Sequence, residues 1–219
     1  FEQGNEKALE LRALIEELTD QAASNGWLQP RGLFRFFAAE AEGRLLILRD
    51  QPGGKEVGRF EFPRQEGREK LCISDWVERP GGSPDSVALM AVTAGAQVRE
   101  QAETFKLAGE YLRSHALQAL ALELAEATAE LLHAEIRRLW GIGDPPDFPK
   151  LEIFRARYHG LRVSFGYPAC PDLDQQRLLF DLLRPEQIGI ELTDGMMMSP
   201  ESSVSALVFH HPQARYFNA

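Results

Sequence analysis

Residues 116–140 limit what this chain can fold into more than any other part of the sequence. They form its most apolar stretch, yet Glu123, Glu126, Glu130 and Glu135 interrupt it, and ionised carboxylates at that spacing exclude a bilayer span. Leu117, Leu120, Leu124, Ala127 and Leu131 recur at helical spacing, flanked by Ala121, Ala125, Leu132, Ile136 and Leu139. The pattern predicts the longest helix of the fold, stopping near Trp140-Gly141 ahead of Asp144-Pro145-Pro146. So wide an apolar stripe implies burial against a sheet.

That sheet is expected from segments of a different period. Residues 32–37, 44–48, 59–62, 71–77, 87–92 and 203–209 read as strands, and the first three are separated by Glu40-Ala41-Glu42-Gly43 and Asp50-Gln51-Pro52-Gly53-Gly54. An antiparallel meander is the simplest connection. Leu11, Leu14, Ile15, Leu18 and Ala22 predict an amphipathic helix over residues 6–23, ended by Asn25-Gly26. Asp172 with Gln175 three residues on opens another helix, carried by Leu178, Leu179, Leu182 and Leu183 and stopped by Pro185.

Grouped strands and helices predict an α+β fold, a mainly antiparallel twisted sheet with packed helices. Residues 143–149 are the best internal break, with apolar strand-like sequence on both sides and nothing resembling a flexible linker. We therefore expect a single domain, with residues 1–30 as an N-terminal helix and lead-in and residues 31–219 as the body of one globular unit.

Charge and cysteine usage exclude several functions. With 33 acidic against 24 basic side chains and a formal net charge of −9, the chain would repel phosphate backbones, so nucleic acid is not an expected partner. Nor is a membrane. Cys72 and Cys170 stand far apart without a paired framework, which reads as two free thiols in a reducing, cytoplasmic compartment. The chain opens on Phe1 and a polar helical run, from which we expect a piece of a longer polypeptide.

Familiar catalytic signatures are missing. G-x-G-x-x-G after a strand, G-x-x-x-x-G-K-[ST], G-x-S-x-G and H-E-x-x-H do not occur, and neither cysteine has a second sulfur at C-x-x-C spacing. No catalytic residue and no metal ligand set is predicted. His210-His211 reads as a polar strand end, since neighbours on a strand point to opposite faces. Met196-Met197-Met198 reads as core filling or a malleable contact surface.

The sharpest local sequence is Gly160-Leu161-Arg162-Val163-Ser164-Phe165-Gly166-Tyr167-Pro168-Ala169-Cys170-Pro171-Asp172. It reads as a loop whose glycines and prolines fix the backbone around one arginine and one tyrosine. Arg162 can clamp a carboxylate, Tyr167 offers an aromatic face, and the stiffened backbone can bond the edge of a heterocycle. A rigid turn with Arg162 in a surface ion pair is the alternative. Asp75 equally fits a strand end, and Glu126 with Glu130 a solvated helix face. Cys170 reads as a small buried residue rather than a nucleophile.

R-x-x-x-G-Y-P-A-C-P, carried here by residues 162–171, resembles the signature loop of the S-adenosylmethionine-binding reactivation domain of cobalamin-dependent methionine synthases. Other segments agree in order. Phe60-Glu61-Phe62-Pro63-Arg64-Gln65 is similar to that family's F-x-F-P-R-Q, Leu71-Cys72-Ile73-Ser74-Asp75-Trp76 to its L-C-L-x-D-F, and Val92-Thr93-Ala94-Gly95 to its V-T-x-G. Residues 119–133 with Trp140-Gly141 follow its long helix, and Ser203-Val204-Ser205, His211-Pro212 and Tyr216 its closing segment. The likeness spans residues 31–218.

The resemblance implies a methyltransferase domain of methionine biosynthesis. It would bind S-adenosylmethionine and supply the methyl group for reductive remethylation of oxidised cob(II)alamin, and alone it would bind without turnover. Its partners would be the cobalamin-binding domain of the same polypeptide and a flavodoxin-like electron donor. By matching positions, Asp75 would hold the ligand's amino group and Arg162 its carboxylate. Ser164 and the backbone through Tyr167 and Ala169 would frame the adenosine, Glu126 would face the sulfonium side, and Tyr216 would close the pocket. The chain departs from the family at Leu122-Glu123, where Asp-Arg is common, and at Ala156, Leu173 and Phe217, where an acidic residue, a His and a second Tyr are common. Relatives also continue beyond the Tyr216 segment. A separate S-adenosylmethionine-binding regulatory or interaction module, and a purely structural α+β domain, are the competing readings.

Overall fold

The structure is a computed structural model and describes residues 6–217. In chain order the elements are α1 (Glu6–Ser24), β1 (Arg31–Glu42), β2 (Leu45–Arg49), β3 (Glu56–Glu61), β4 (Asp85–Thr93), α2 (Gln97–Leu107), α3 (Tyr111–Leu139), α4 (Lys150–Phe154), β5 (Leu161–Val163), α5 (Gln176–Leu183), β6 (Glu191–Leu192), β7 (Met198–Ser199) and β8 (Ser203–Phe209). Strands β3-β2-β1-β4-β8-β5 form a six-stranded sheet in that order. The β1–β2, β2–β3 and β5–β8 pairs are antiparallel, so the expected α+β class and meander hold.

Packing sorts the chain into two compact units: Phe1–Gly32, Val92–Ala129 and Glu186–Val204 in the first, and Leu33–Ala91, Glu130–Pro185 and Ser205–Ala219 in the second. The first is helical at its core. Leu18 and Ala22 of α1, Val98 and Phe105 of α2, and Leu117, Ala121 and Ala125 of α3 pack with Ala94, and Trp27 meets Phe105 edge-on at 5.7 Å between ring centroids. Gly26 takes the left-handed conformation foreseen for the end of α1, at φ +69°.

The second unit is built on the sheet. β3 forms one edge, and Gln175 covers it as a further strand would. The Glu61 N–H donates to the Gln175 side chain at 2.6 Å, and the Gln175 amide donates back to the Glu61 carbonyl at 2.7 Å. β5 forms the opposite edge, with Leu161, Arg162 and Val163 opposite Phe209, Val208 and Leu207.

Three expectations need correction. Residues 71–77 are not a strand, because Ile73–Trp76 is a 3-10 turn in which the Asp75 carboxylate accepts the Cys72 N–H at 2.9 Å, a local bond that competes with any ladder. The strand-like sequence after Pro149 forms the short helix α4 instead. Arg162 lies on an edge strand rather than in a loop.

The face of α3 also differs from its leucine pattern. Ser114, Leu117, Ala121, Ala125, Ala129, His133, Ile136 and Arg137 are its buried positions, whereas Leu131 is 73% exposed. Small residues define that face, since alanine lets a helix approach its neighbours closely while a bulkier stripe alongside stays in solvent.

Candidate functional site

Alternation along β5 places Arg162. Leu161 and Val163 are buried, so the residue between them projects from the other face of the strand. Gly160 makes this entry possible. Its φ is +100°, and a Cβ there would stand 3.1 Å from the Phe209 carbonyl and 3.3 Å from Arg137 Cδ.

The guanidinium of Arg162, 14% exposed, donates from Nη2 to Glu130 Oε1 at 2.8 Å. The same carboxylate accepts the Tyr158 hydroxyl at 3.2 Å. Behind it, the Arg137 guanidinium lies 4.0 Å from the Tyr158 ring centroid and forks onto both oxygens of Asp144 at 2.7 Å each. His133 meets the Tyr158 ring edge-on at 5.1 Å. Glu130, Arg162, Arg137 and Asp144 thus balance two negative against two positive charges around one aromatic ring.

Titration is displaced accordingly. Burial first, then the Glu130 charge, pushes the Tyr158 hydroxyl up to about 12, which keeps it a donor. His133 is driven down to about 3 by burial and then by the charges of Arg137 and Arg162, so its ring is neutral.

Downstream of β5 the chain tightens into a turn. The Cys170 N–H donates to the Tyr167 carbonyl and the Gly166 N–H to the Cys170 carbonyl, each at 2.8 Å. Ala169 and Cys170 are buried, Ser164 is half-buried, and the Tyr167 ring is 58% exposed. Burial pushes the Cys170 thiol up to about 12, as expected of an inert cysteine, and both cysteines are free. Phe165 anchors the turn against Phe60 at 5.8 Å.

Asp75 has a different counter-ion. Arg64 donates to both of its oxygens, at 2.7 and 2.8 Å, and also to the Lys70 carbonyl at 2.6 Å. The Arg64 bonds chiefly, with the Cys72 N–H, hold the Asp75 carboxyl below the usual carboxylate range, although burial opposes them.

One segment links both neighbourhoods. His211 lies 5.7 Å from the Trp76 ring, Arg215 donates to Glu69 at 2.7 Å, and the Tyr216 hydroxyl donates to the main-chain carbonyl of Arg162. The tail therefore touches the strip carrying Asp75 and the strand carrying Arg162. Glu126, on α3, is exposed and falls in the first unit.

Tyr158 and Arg64 are not among the expected site residues, and Glu130 was expected on a solvated helix face. Glu130, His133 and Arg137 share one helical face by their spacing, and a carboxylate beside a buried arginine position was the usable signal. Among the described residues, no group of three or more His, Cys, Asp or Glu side chains is arranged to hold a metal ion, and no helix is long and apolar enough to cross a membrane.

Comparison with known proteins gives a consistent result. A family model described as vitamin B12 dependent methionine synthase, activation domain, matches residues 2–219. Methionine synthase of Mycobacterium tuberculosis is 32% identical over 215 residues, covering 91% of this chain and 18% of the relative. That of Mycobacterium leprae is 30% identical over 201 residues, covering 85% and 16%. The chain thus spans less than a fifth of these relatives' length. Among solved structures, the crystal structure of the MetH reactivation domain bound to AdoHcy superposes with a TM-score of 0.92 at 28% identity, covering 97% of this chain and 68% of that one.

Proposed function

This chain belongs to the family of activation domains of vitamin B12-dependent methionine synthase, and from that premise we propose that it binds S-adenosylmethionine and presents its methyl group for reactivation of oxidised cobalamin. The observation that carries this reading is the arrangement at β5. Arg162, Ser164, Tyr167, Ala169 and Tyr216 fall on one edge strand, the turn that follows it, and the tail bonded to it.

The ligand's amino-acid tail is a zwitterion, and the residues suit it. Arg162 receives the carboxylate, and Asp75, held ionised by Arg64, receives the ammonium. Ser164 and the backbone from Tyr167 to Ala169 frame the adenosine, while the exposed rings of Tyr167 and Tyr216 are placed to cover the ligand. Glu126 on the sulfonium side rests on the resemblance alone. Residues 31–219 form the binding domain in this reading, with residues 1–30 as its lead-in.

Cobalamin, carried by another domain of the same polypeptide, would supply the metal centre that accepts the methyl group. A flavodoxin-like donor would supply the electron, in the cytoplasm. This chain contributes binding and orientation, which agrees with the absence of an acid, base or nucleophile motif from its sequence. Isothermal titration of the chain with S-adenosylmethionine tests the proposal. We expect saturable heat with one site, and no heat or thermal shift at millimolar ligand rejects it.

A further inference from the structure

We infer that Glu130 is the positioning residue of Arg162, fixing the guanidinium so that it discriminates for ligands bearing a carboxylate. The inference rests on the proposed S-adenosylmethionine site and deepens it. A lone arginine on an edge strand has a long, rotamer-rich side chain and would lose much of its freedom on meeting a ligand. Here that ordering precedes binding. Nη2 of Arg162 is already bonded to Glu130 at 2.8 Å with the guanidinium largely out of water.

Glu130 is itself braced. Its carboxylate takes the Tyr158 hydroxyl, and Tyr158 is wedged between the Arg137 guanidinium on its face and the His133 edge. Arg137 is 1% exposed and bound through two bonds to Asp144. The path from Asp144 to Arg162 therefore runs through groups that each have a fixed partner. Exposed ion pairs are mobile and weakly coupled, whereas this pair is 14% and 32% exposed and sits beside the buried His133 and Arg137 of the same helix.

The chemistry also admits a second carboxylate. A guanidinium is a planar fork with several N–H donors and can serve two carboxylates on different edges. The negative charge of Glu130 opposes the approach of the ligand's carboxylate, so it cannot be present to attract that group. Its use lies in orientation, and that separates its two properties by experiment. Glu130→Gln removes the charge but keeps a carbonyl oxygen for Arg162 and puts an amide N–H where it can donate to the Tyr158 oxygen. Glu130→Ala removes both.

The test measures binding of S-adenosylmethionine and of decarboxylated S-adenosylmethionine, which lacks only the carboxylate, to the full chain and its variants. Wild type should prefer the carboxylate-bearing ligand. Glu130→Ala should lower that preference by about tenfold, the scale of a lost charge-assisted bond, through weaker S-adenosylmethionine binding, while Glu130→Gln should retain most of it. Tyr158→Phe, which keeps the ring over Arg137 and loses only the hydroxyl, should lower the preference less than Glu130→Ala, and it decides the matter should Glu130→Ala fail to fold. A merely structural role would weaken both ligands alike, so an unchanged ratio in folded variants overturns the inference while leaving the site intact. Failure of wild type to bind either ligand overturns the proposed function instead.

Discussion

Arg137 and Asp144 meet in a two-bond fork, 2.7 Å on each arm, with the guanidinium 1% exposed. A buried arginine so placed is tolerable only while its counter-charge is present.

Asp144→Ala should therefore destabilise the fold by about 3 kcal/mol, the lower end for breaking a buried pair, because Asp144 itself is partly exposed. The contact with the Tyr158 ring cannot replace a carboxylate. Urea unfolding measures the difference. Asp147→Ala, at an exposed position in the same segment, should stay within about 0.5 kcal/mol of wild type. Equal effects at both positions would mean that the fork contributes nothing of its own.

His133 makes a pH signature. Its folded pKa of about 3 lies below the 6.5 of a free histidine, so between those values the unfolded chain binds a proton that the folded chain refuses. Stability from this group is complete above 6.5 and declines as pH falls toward 3, with a limiting slope of about 1.4 kcal/mol per pH unit. His133→Phe should flatten the wild-type decline between pH 6.5 and 4, followed by denaturant midpoints across that range. Parallel curves for the two proteins would count against a buried neutral ring.

Much of the fold was legible in the sequence. The strand at Ser203–Phe209 and the helix at Glu6–Ser24 lie where the sequence places them, although along the helix only Leu18 and Ala22 are buried while Leu11 and Ile15 of the expected apolar row stay exposed. The long helix and much of its buried face are legible too, since Leu117, Ala121, Ala125 and Ile136 of the expected stripe are buried, but Leu131 of its main row is exposed and Ala129 is buried in its stead. Hydrophobicity says nothing about which row fits closest. Glu130 read as a solvated residue because its partner lies 32 positions away on an edge strand, and no local pattern reports such a contact. Asp75 in a strand was the converse error, a side-chain bond to its own backbone overruling strand propensity.

At Asp75, stability and binding should part. Both it and Arg64 are about a third exposed, so Asp75→Asn should cost less than about 1 kcal/mol of stability at neutral pH. The folded pKa is depressed below 3.8, so this contribution is present above 3.8 and vanishes as pH falls through the folded value, where wild type and variant should converge. Affinity for S-adenosylmethionine, by contrast, should fall by about 1–3 kcal/mol for loss of a charged partner. Titration calorimetry beside denaturation reads both quantities, and an unchanged affinity would remove Asp75 from the site.

Arg162→Ala should weaken S-adenosylmethionine by about 1–3 kcal/mol, the range for a lost charged hydrogen bond, with the fold retained. Removing the guanidinium leaves Glu130 without its cation, but that carboxylate keeps the Tyr158 hydroxyl and stays 32% exposed, so water can take up the remaining lone pairs. The backbone carbonyl of residue 162 survives the change and keeps its bond from Tyr216, which separates loss of the clamp from loss of the tail. Arg162→Lys should recover only part of the affinity, since an ammonium lacks the planar, rigid fork with which a guanidinium holds Glu130 on one edge and a ligand on another. Calorimetric titration of both variants, with circular dichroism as the control for folding, settles the role: affinity equal to wild type in a folded Arg162→Ala chain would take the arginine out of the binding site.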